Sequence, residues 1–212
     1  MADELRRAAS IIVGRDGPEG LEVLVVERSS VSRFLPGYVA FPGGSVDAED
    51  AAVAERWFGD RSEAARAGVL RELVEECALA LTAGGLEPAR DAGPLDAAPP
   101  TADRLPEVAH WVAPPEVPVR FDARYFAAAP EGGGPDPVPD GTETAAAWWA
   151  SPPDLIAGWE REERLLYWPT YFTMRALATC GSTAELLALR LETREPDDEE
   201  LEWLHRSTFF QD

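Results

Sequence analysis

The chain contains no lysine: its nineteen basic residues are all arginine, and thirty-nine aspartates and glutamates bring the formal net charge to −20. The missing lysine reads mainly as a coding bias. The charge argues against a nucleic-acid backbone as partner, because phosphate binding along a duplex needs a basic surface. A small phosphate-bearing molecule stays open, since a bound metal can supply positive charge locally. Cysteine is scarce too. Cys77 and Cys180 are too few for a disulfide framework, so a reducing cytoplasm is the expected compartment. The two histidines, His110 and His205, stand far in sequence from the acidic and glycine clusters and suggest neither a metal site nor a nucleophilic triad. Long apolar runs are also lacking. Ala8 to Val13 is too short for a secretory leader, and no segment nears the ~20 residues of a membrane span, so the expectation is a soluble protein with no membrane partner.

What the chain does have is concentrated between Ala40 and Leu81. There Phe41-Pro42-Gly43-Gly44 is followed, after an acidic spacer, by Arg71-Glu72-Leu73-Val74-Glu75-Glu76-Cys77-Ala78-Leu79. On a helix, Glu72, Glu75 and Glu76 fall within one arc of about 100°, while Leu70, Leu73, Val74, Cys77 and Leu81 occupy another. One side can pack on a sheet while the other concentrates negative charge. Two carboxylates about 5 Å apart repel by roughly 3 kcal/mol at an effective dielectric near 20. A divalent cation reverses that sign, and hard oxygen ligands suit Mg²⁺ or Mn²⁺. An isolated string of this kind is usually a solvated acidic face. Paired glycines upstream, which let backbone approach a ligand closely, change the reading.

The remaining pattern organises around this stretch. Ala8 to Val13 and Leu21 to Glu27 read as a strand pair with a turn over Gly14 to Pro18, and Tyr38 to Phe41 as a short strand entering the glycines. Asp47 to Phe58 reads as a helix ending at Gly59, and Ser62 as the cap of a second helix through about Cys77. Leu79 to Leu81 is either the helix end or a strand. Gly84 to Pro106 reads mostly as a surface excursion. Val108 to Val112 and Arg120 to Ala128 read as strands, the latter setting Arg120, Asp122 and Arg124 against Phe121, Ala123 and Tyr125. A loop over Ala129 to Asp140 leads to Glu143 and a strand at Ala145 to Trp149. Helices follow at 152–163, 169–178 and 183–189, and an acidic helix is expected within 196–212. At 212 residues the chain suits a single domain, with a mixed sheet sandwiched by helices.

Glycines and glutamates together resemble the Nudix hydrolase box, G-x(5)-E-x(7)-R-E-U-x-E-E-x-G-U with U apolar. The likeness is densest over Val23 to Leu81. Further matches to the branch that includes peroxisomal coenzyme A diphosphatase-like proteins are Arg28-Ser29, Phe34 to Gly37, Arg120 to Phe126, Glu143 six before Trp149, and Trp168-Pro169-Thr170. The resemblance implies the Nudix α/β/α sandwich with extra C-terminal helices over about 152–212. It also implies metal-dependent hydrolysis of the diphosphate of a nucleoside diphosphate linked to another moiety, with coenzyme A or acyl-CoA as first candidate. A regulatory Nudix domain that binds a nucleotide-derived ligand without turnover is the alternative. Glu72, Glu75 and Glu76 would be the metal carboxylates, with Gly44 lending its carbonyl, and Arg71 would hold a box glutamate in place. Glu143 matches a distal glutamate that serves some members as ligand or base, and is equally an ordinary loop acid. Gly43, Gly44, Arg28, Arg33, Arg120 and Arg124 are candidate phosphate or ribose contacts, although structural ion pairing is the stronger reading for Arg120 and Arg124. Five tryptophans, Trp57, Trp111, Trp148, Trp149 and Trp168, can stack on a base but are more often core.

Two departures from the box are visible. Ala78 stands where the box has glycine, which costs roughly 1 kcal/mol if the position needs positive φ. Between Gly44 and Glu63 lie nineteen steps where the unmodified box has six, which suggests an insertion near 45–62. Either Glu63 is the first box glutamate, or Asp50, six after Gly44, takes its place. The late helices and acidic tail offer a lid or a homodimer contact, and the sequence does not choose.

Overall fold

The protein is described by a computed structural model covering residues 5–32, 34–113, 120–192 and 197–198. Ten strands and six α-helices are present among the described residues. The long first strand, β1 (Arg6–Gly17), runs through the centre and changes partners along its length. Its second half pairs antiparallel with β2 (Gly20–Arg28), from Gly14↔Val23 to Gly17↔Gly20. Its first half pairs antiparallel with β4 (Gly43–Ser45) and parallel with β8 (Phe121–Ala128). On β2, β3 (Tyr38–Ala40) and β9 (Thr144–Ala150) add further antiparallel pairings, β10 (Leu165–Leu166) extends β3 in parallel, and β7 (Glu107–Val112) closes the far edge on β8. The result is a curled mixed sheet in the order β10-β3-β2-β1-β8-β7.

Side chains alternate across a strand, and both faces of this sheet are apolar. Ile11, Val13, Leu24, Val26, Phe126 and Ala128 face α2 (Ala64–Cys77), whose Val69, Leu70, Leu73 and Cys77 pack onto them. Ile12, Val23, Val25, Tyr125 and Ala127 face the other way, toward α4 (Pro152–Glu160), α5 (Trp168–Leu177) and α6 (Thr183–Ala188) through Leu155, Met174, Leu177 and Leu186. This is the helix-sheet-helix sandwich expected. Truncating a fully buried residue such as Leu73 to Ala would cost about 2–5 kcal/mol.

Several local expectations change. The first hairpin turns at Pro18-Glu19, with β1 running straight through Gly14 to Gly17, because Arg15 pairs with Glu22 across the strands and stacks over Trp149. Helix α1 (Asp50–Phe58) ends at Gly59 with φ 72°, as its glycine predicts. The cap before α2 is Asp60, not Ser62: its carboxylate accepts the Ser62 N–H and opens a 3₁₀ turn, Arg61–Glu63, that runs into the helix. Leu79 to Thr82 is a strand, β5, paired with β6 (Gly85–Pro88) in a separate two-stranded sheet, so part of the expected excursion is ordered, with α3 (Gly93–Ala97) packing Leu95 into the core. Arg33 and the acidic helix expected within 196–212 lie outside the described residues, save Asp197 and Asp198. No helix among the described residues is long and apolar enough to cross a membrane.

Candidate active site

Helix α2 and the two glycines meet because β4 lies on β1 directly beside the helix. Gly43 and Gly44 form a short strand; backbone bars a side chain at Gly43, and at Gly44 a side chain would have to displace the Glu72 carboxylate. A Cβ on Gly43 would stand 2.3 Å from the Ala9 carbonyl oxygen, and one on Gly44 would stand 2.3 Å from Glu72 Oε1. The Gly43 N–H donates to Glu76 Oε2 at 2.9 Å, joining the glycine strand to the helix.

Arg71 is the hub of the acidic face. Its guanidinium donates to Asp50 Oδ1 at 3.2 Å and Oδ2 at 3.3 Å, to Glu72 Oε1 at 3.0 Å, to Glu75 Oε2 at 2.9 Å and to the Ser45 carbonyl at 3.1 Å. Burial works against its charge, but the Asp50 bond and the negative charges of Glu72, Asp50 and Glu75 more than reverse that, so the guanidinium stays ionised. Asp50 is almost wholly buried and also accepts the Asp47 N–H at 2.8 Å. Glu63, by contrast, pairs with Arg66, whose Nε is spent on the Leu105 carbonyl. Of the two acids that the sequence offered as the first box acid, Asp50 is the one bonded to Arg71.

Glu72 and Glu76 are the electrostatically stressed members. Burial is the main cause of a raised pKa in both. For Glu76, the Gly43 bond and Arg28 oppose that rise while Glu72 and Glu143 add to it, and the carboxyl is pushed up to about 8. For Glu72, Arg71 opposes and the charges of Glu75 and Glu143 add. Glu75 is the exposed one, its side chain 55% accessible against 14% for Glu72. Helix α2 ends at Ala78 with φ 52° and ψ 38°, the left-handed conformation that the box glycine would adopt without cost.

A cavity of about 390 Å³ opens from this acidic end. Gly43, Gly44, Asp47, Glu72, Glu76, Glu143 and Arg28 line it on one side. Glu143 reaches the cavity from the loop before β9, where its carbonyl accepts the Ser29 N–H at 2.8 Å. Arg28 reaches it from the end of β2 and donates to the Phe34 carbonyl at 2.9 Å and to Ser32 Oγ at 3.2 Å, so the same side chain also holds the 29–37 loop. Arg124 does not line it: it pairs with Glu107 and stacks toward Phe126 on the α2 face of the sheet. Arg120 is likewise occupied, donating to the Ala113 carbonyl.

The cavity is also lined by aromatic side chains, of which the sequence pattern pointed to Trp111 and Trp168 only. Phe34, Tyr38, Phe121, Tyr125 and Tyr167 line it with Trp111 and Trp168. Trp168 is only 2% exposed and packs edge-on against Trp111, whose indole N–H donates to Thr173, so both serve mainly as core. Trp57, Trp148 and Trp149 lie elsewhere, the last two beneath Arg164 and Arg15. The usable signal was the alternation of β8. Its charged face carries Asp122 and Arg124, whereas its other face, Phe121, Ala123 and Tyr125, lines the cavity.

Among the described residues no three acidic, histidine or cysteine side chains converge as a ready-made metal cage. Glu72 and Glu75 turn onto Arg71, and Glu76 onto the Gly43 N–H. The donor chemistry nonetheless fits a hard divalent cation. It is all oxygen, two of its carboxylates are held back from ionising by burial, and the bare Gly44 leaves the space beside Glu72 free of side chain.

No protein-family model matches the chain. Among curated proteins it is similar to the acyl-coenzyme A diphosphatase NUDT19 of Gallus gallus, 24% identical over 266 aligned positions that cover 85% of this chain and 70% of the relative. Among solved structures it is similar to a NUDIX hydrolase from Alicyclobacillus acidocaldarius, with a TM-score of 0.76 and 29% identity over 91% of this chain and 100% of the other. The MutT NUDIX hydrolase from Burkholderia pseudomallei shares the fold at TM-score 0.52 and 17% identity, covering 82% of this chain and 98% of its own.

Proposed function

We propose that this chain, which has the Nudix fold and is a pyrophosphohydrolase of that type, cleaves the diphosphate of a nucleoside diphosphate linked to another moiety, with coenzyme A or acyl-CoA as first candidate. The observation that carries this reading is one cavity lined by Glu72, Glu76 and the bare glycines together with a group of aromatic side chains. A diphosphate needs the first, and a nucleoside or acyl group the second. The likeness to an acyl-CoA diphosphatase supports the choice of first candidate.

Glu72, Glu75 and Glu76, with the Gly44 carbonyl, would hold Mg²⁺ or Mn²⁺. When bound, such an ion polarises the diphosphate and lowers the pKa of a coordinated water. Arg71 keeps Glu72 and Glu75 in place and is itself kept by Asp50. Arg28 supplies the positive charge of the cavity wall and steers the substrate's phosphates toward the acidic end. A carboxylate among Glu75, Glu76 and Glu143 accepts the proton of the attacking water. The aromatic wall orients the group attached to the diphosphate and keeps water from that end.

The test is a phosphatase-coupled screen over coenzyme A, NADH, ADP-ribose and dinucleoside polyphosphates with Mg²⁺ or Mn²⁺. Turnover of coenzyme A above the others is the expected result. No turnover of any, alongside tight binding of one, would replace the enzyme with a ligand-binding domain.

A further inference from the structure

The loop that delivers Glu143 is long, rich in glycine and proline, and spans 129–143. Such a loop would ordinarily place its last residue loosely. Here it is fastened at three levels. Val138 N–H donates at 2.9 Å to the carbonyl of Cys77, the residue after Glu76, so the loop is tied to the end of the glutamate helix. The Glu143 carbonyl accepts the Ser29 N–H, tying it to the end of β2 beside Arg28. Between these anchors, one side chain gathers the residues around Glu143. The Asp140 carboxylate accepts the Glu143 N–H at 3.0 Å through Oδ2 and the Thr144 N–H at 2.7 Å through Oδ1, and the Thr142 hydroxyl donates to Oδ2 as well. The turn closes with Gly141 N–H donating to the Thr144 carbonyl at 3.0 Å.

Two consecutive backbone N–H groups are thereby clamped on either side of the Glu143 α-carbon, which fixes where its side chain departs from the loop. That direction matters because Glu143 lines the same cavity as Glu72 and Glu76. We propose that Asp140 is the positioning residue of Glu143: its bonds to the N–H groups of 143 and 144 hold the Glu143 carboxylate at the acidic end of the cavity. The inference rests on the reading of Glu143 as a group of the hydrolytic reaction. Asp140 itself does not line the cavity, so it acts there as a positioning residue and not as a group that meets substrate.

The experiment is a double-mutant cycle on the full chain, with coenzyme A and Mg²⁺ as probe, joined to amide hydrogen exchange on the same proteins. Glu143→Gln is expected to lower kcat by at least about a hundredfold, as loss of a reacting carboxylate does. Asp140→Ala is expected to lower kcat about tenfold with KM within about twofold, and to change the rate of Glu143→Gln by less than about twofold when the two are combined. Exchange at the Glu143 and Thr144 amides should quicken at least about tenfold in Asp140→Ala. Asp140→Asn, which keeps the shape and one acceptor oxygen, should fall between, and it carries the test if the alanine variant folds poorly. Unchanged kcat in both Asp140 variants beside an impaired Glu143→Gln overturns the proposal, as does a loss that adds fully to that of Glu143→Gln. A fully active Glu143→Gln overturns it too while leaving the hydrolase reading intact. Absence of wild-type turnover on all four substrates of the screen would instead refute the hydrolase reading, and the exchange rates would then decide the clamp: unquickened amides overturn it and quickened ones support it.

Discussion

Glu76 is the residue whose removal tests the electrostatic account most directly. The residue is 5% exposed, and its carboxyl accepts one backbone N–H and is pushed from an ordinary 4.5 up to about 8 by burial and by the charges of Glu72 and Glu143, against the Gly43 bond and Arg28. Between those two values the folded protein binds a proton that the unfolded chain has released, so metal-free stability falls as pH rises through the window and levels off above about 8. At roughly 1.4 kcal/mol per pH unit, the full window amounts to about 5 kcal/mol. Most of the penalty is still absent at about pH 5.5 and almost all of it is present at about pH 8.5, a difference of about 3 kcal/mol.

Glu76→Gln cannot titrate, and its amide oxygen can still accept the Gly43 N–H. Urea unfolding of both proteins in chelator, at those two pH values, should therefore show the variant gaining on the wild type by about 3 kcal/mol on going to the higher pH. In a thermal melt that is roughly 6–12 °C for a chain of this size. Mg²⁺ should reverse the order at high pH, because a cation bound only to the folded wild type stabilises it by mass action. Turnover should fall at least about a hundredfold in the same variant. A stability difference that stays constant between the two pH values would refute the reasoning, whatever happens to activity.

Other expectations follow from neighbouring residues. Ala78→Gly should raise stability by about 1 kcal/mol in urea unfolding with kcat unchanged, because φ is 52° there; a loss of stability would show that the left-handed cap is not strained. Asp50→Ala should cost about 2–3 kcal/mol and lower kcat, since Arg71 and the Asp47 N–H lose a buried acceptor, while Glu63→Ala should cost under about 1 kcal/mol; equal costs would argue against Asp50 as the partner of Arg71. Gly44→Ala should cut kcat at least about tenfold and weaken Mn²⁺ binding in a spin-resonance titration, because its Cβ would collide with Glu72; unaltered Mn²⁺ affinity would contradict the close approach.

What the sequence disclosed were the features with a local cause. Helix period, glycine stops and strand alternation located α1, α2, the central strands and the late helices, because each depends on residues a few positions apart. The two-residue strand β10 escaped for the opposite reason: Leu165-Leu166 is a strand only because β3 lies beside it. The same distinction divides the site. Glutamates at i, i+3 and i+4 share a helix face by geometry alone, but spacing along the chain left Asp50 and Glu63 both open as the first box acid, and which of them bonds Arg71 depends on how α1 folds back on α2. Counting from the helix favoured Glu63, and counting from the glycines favoured Asp50. The fold favours the second count because α1 starts directly after β4, so its first turn, carrying Asp50, lands beside Arg71, whereas Glu63 sits at the entry to α2 about two turns before Arg71. On this geometry the extra residues lie after the acid rather than before it, and we infer that they form the body of α1 and the 3₁₀ turn, leaving the spacing between glycines and first acid intact.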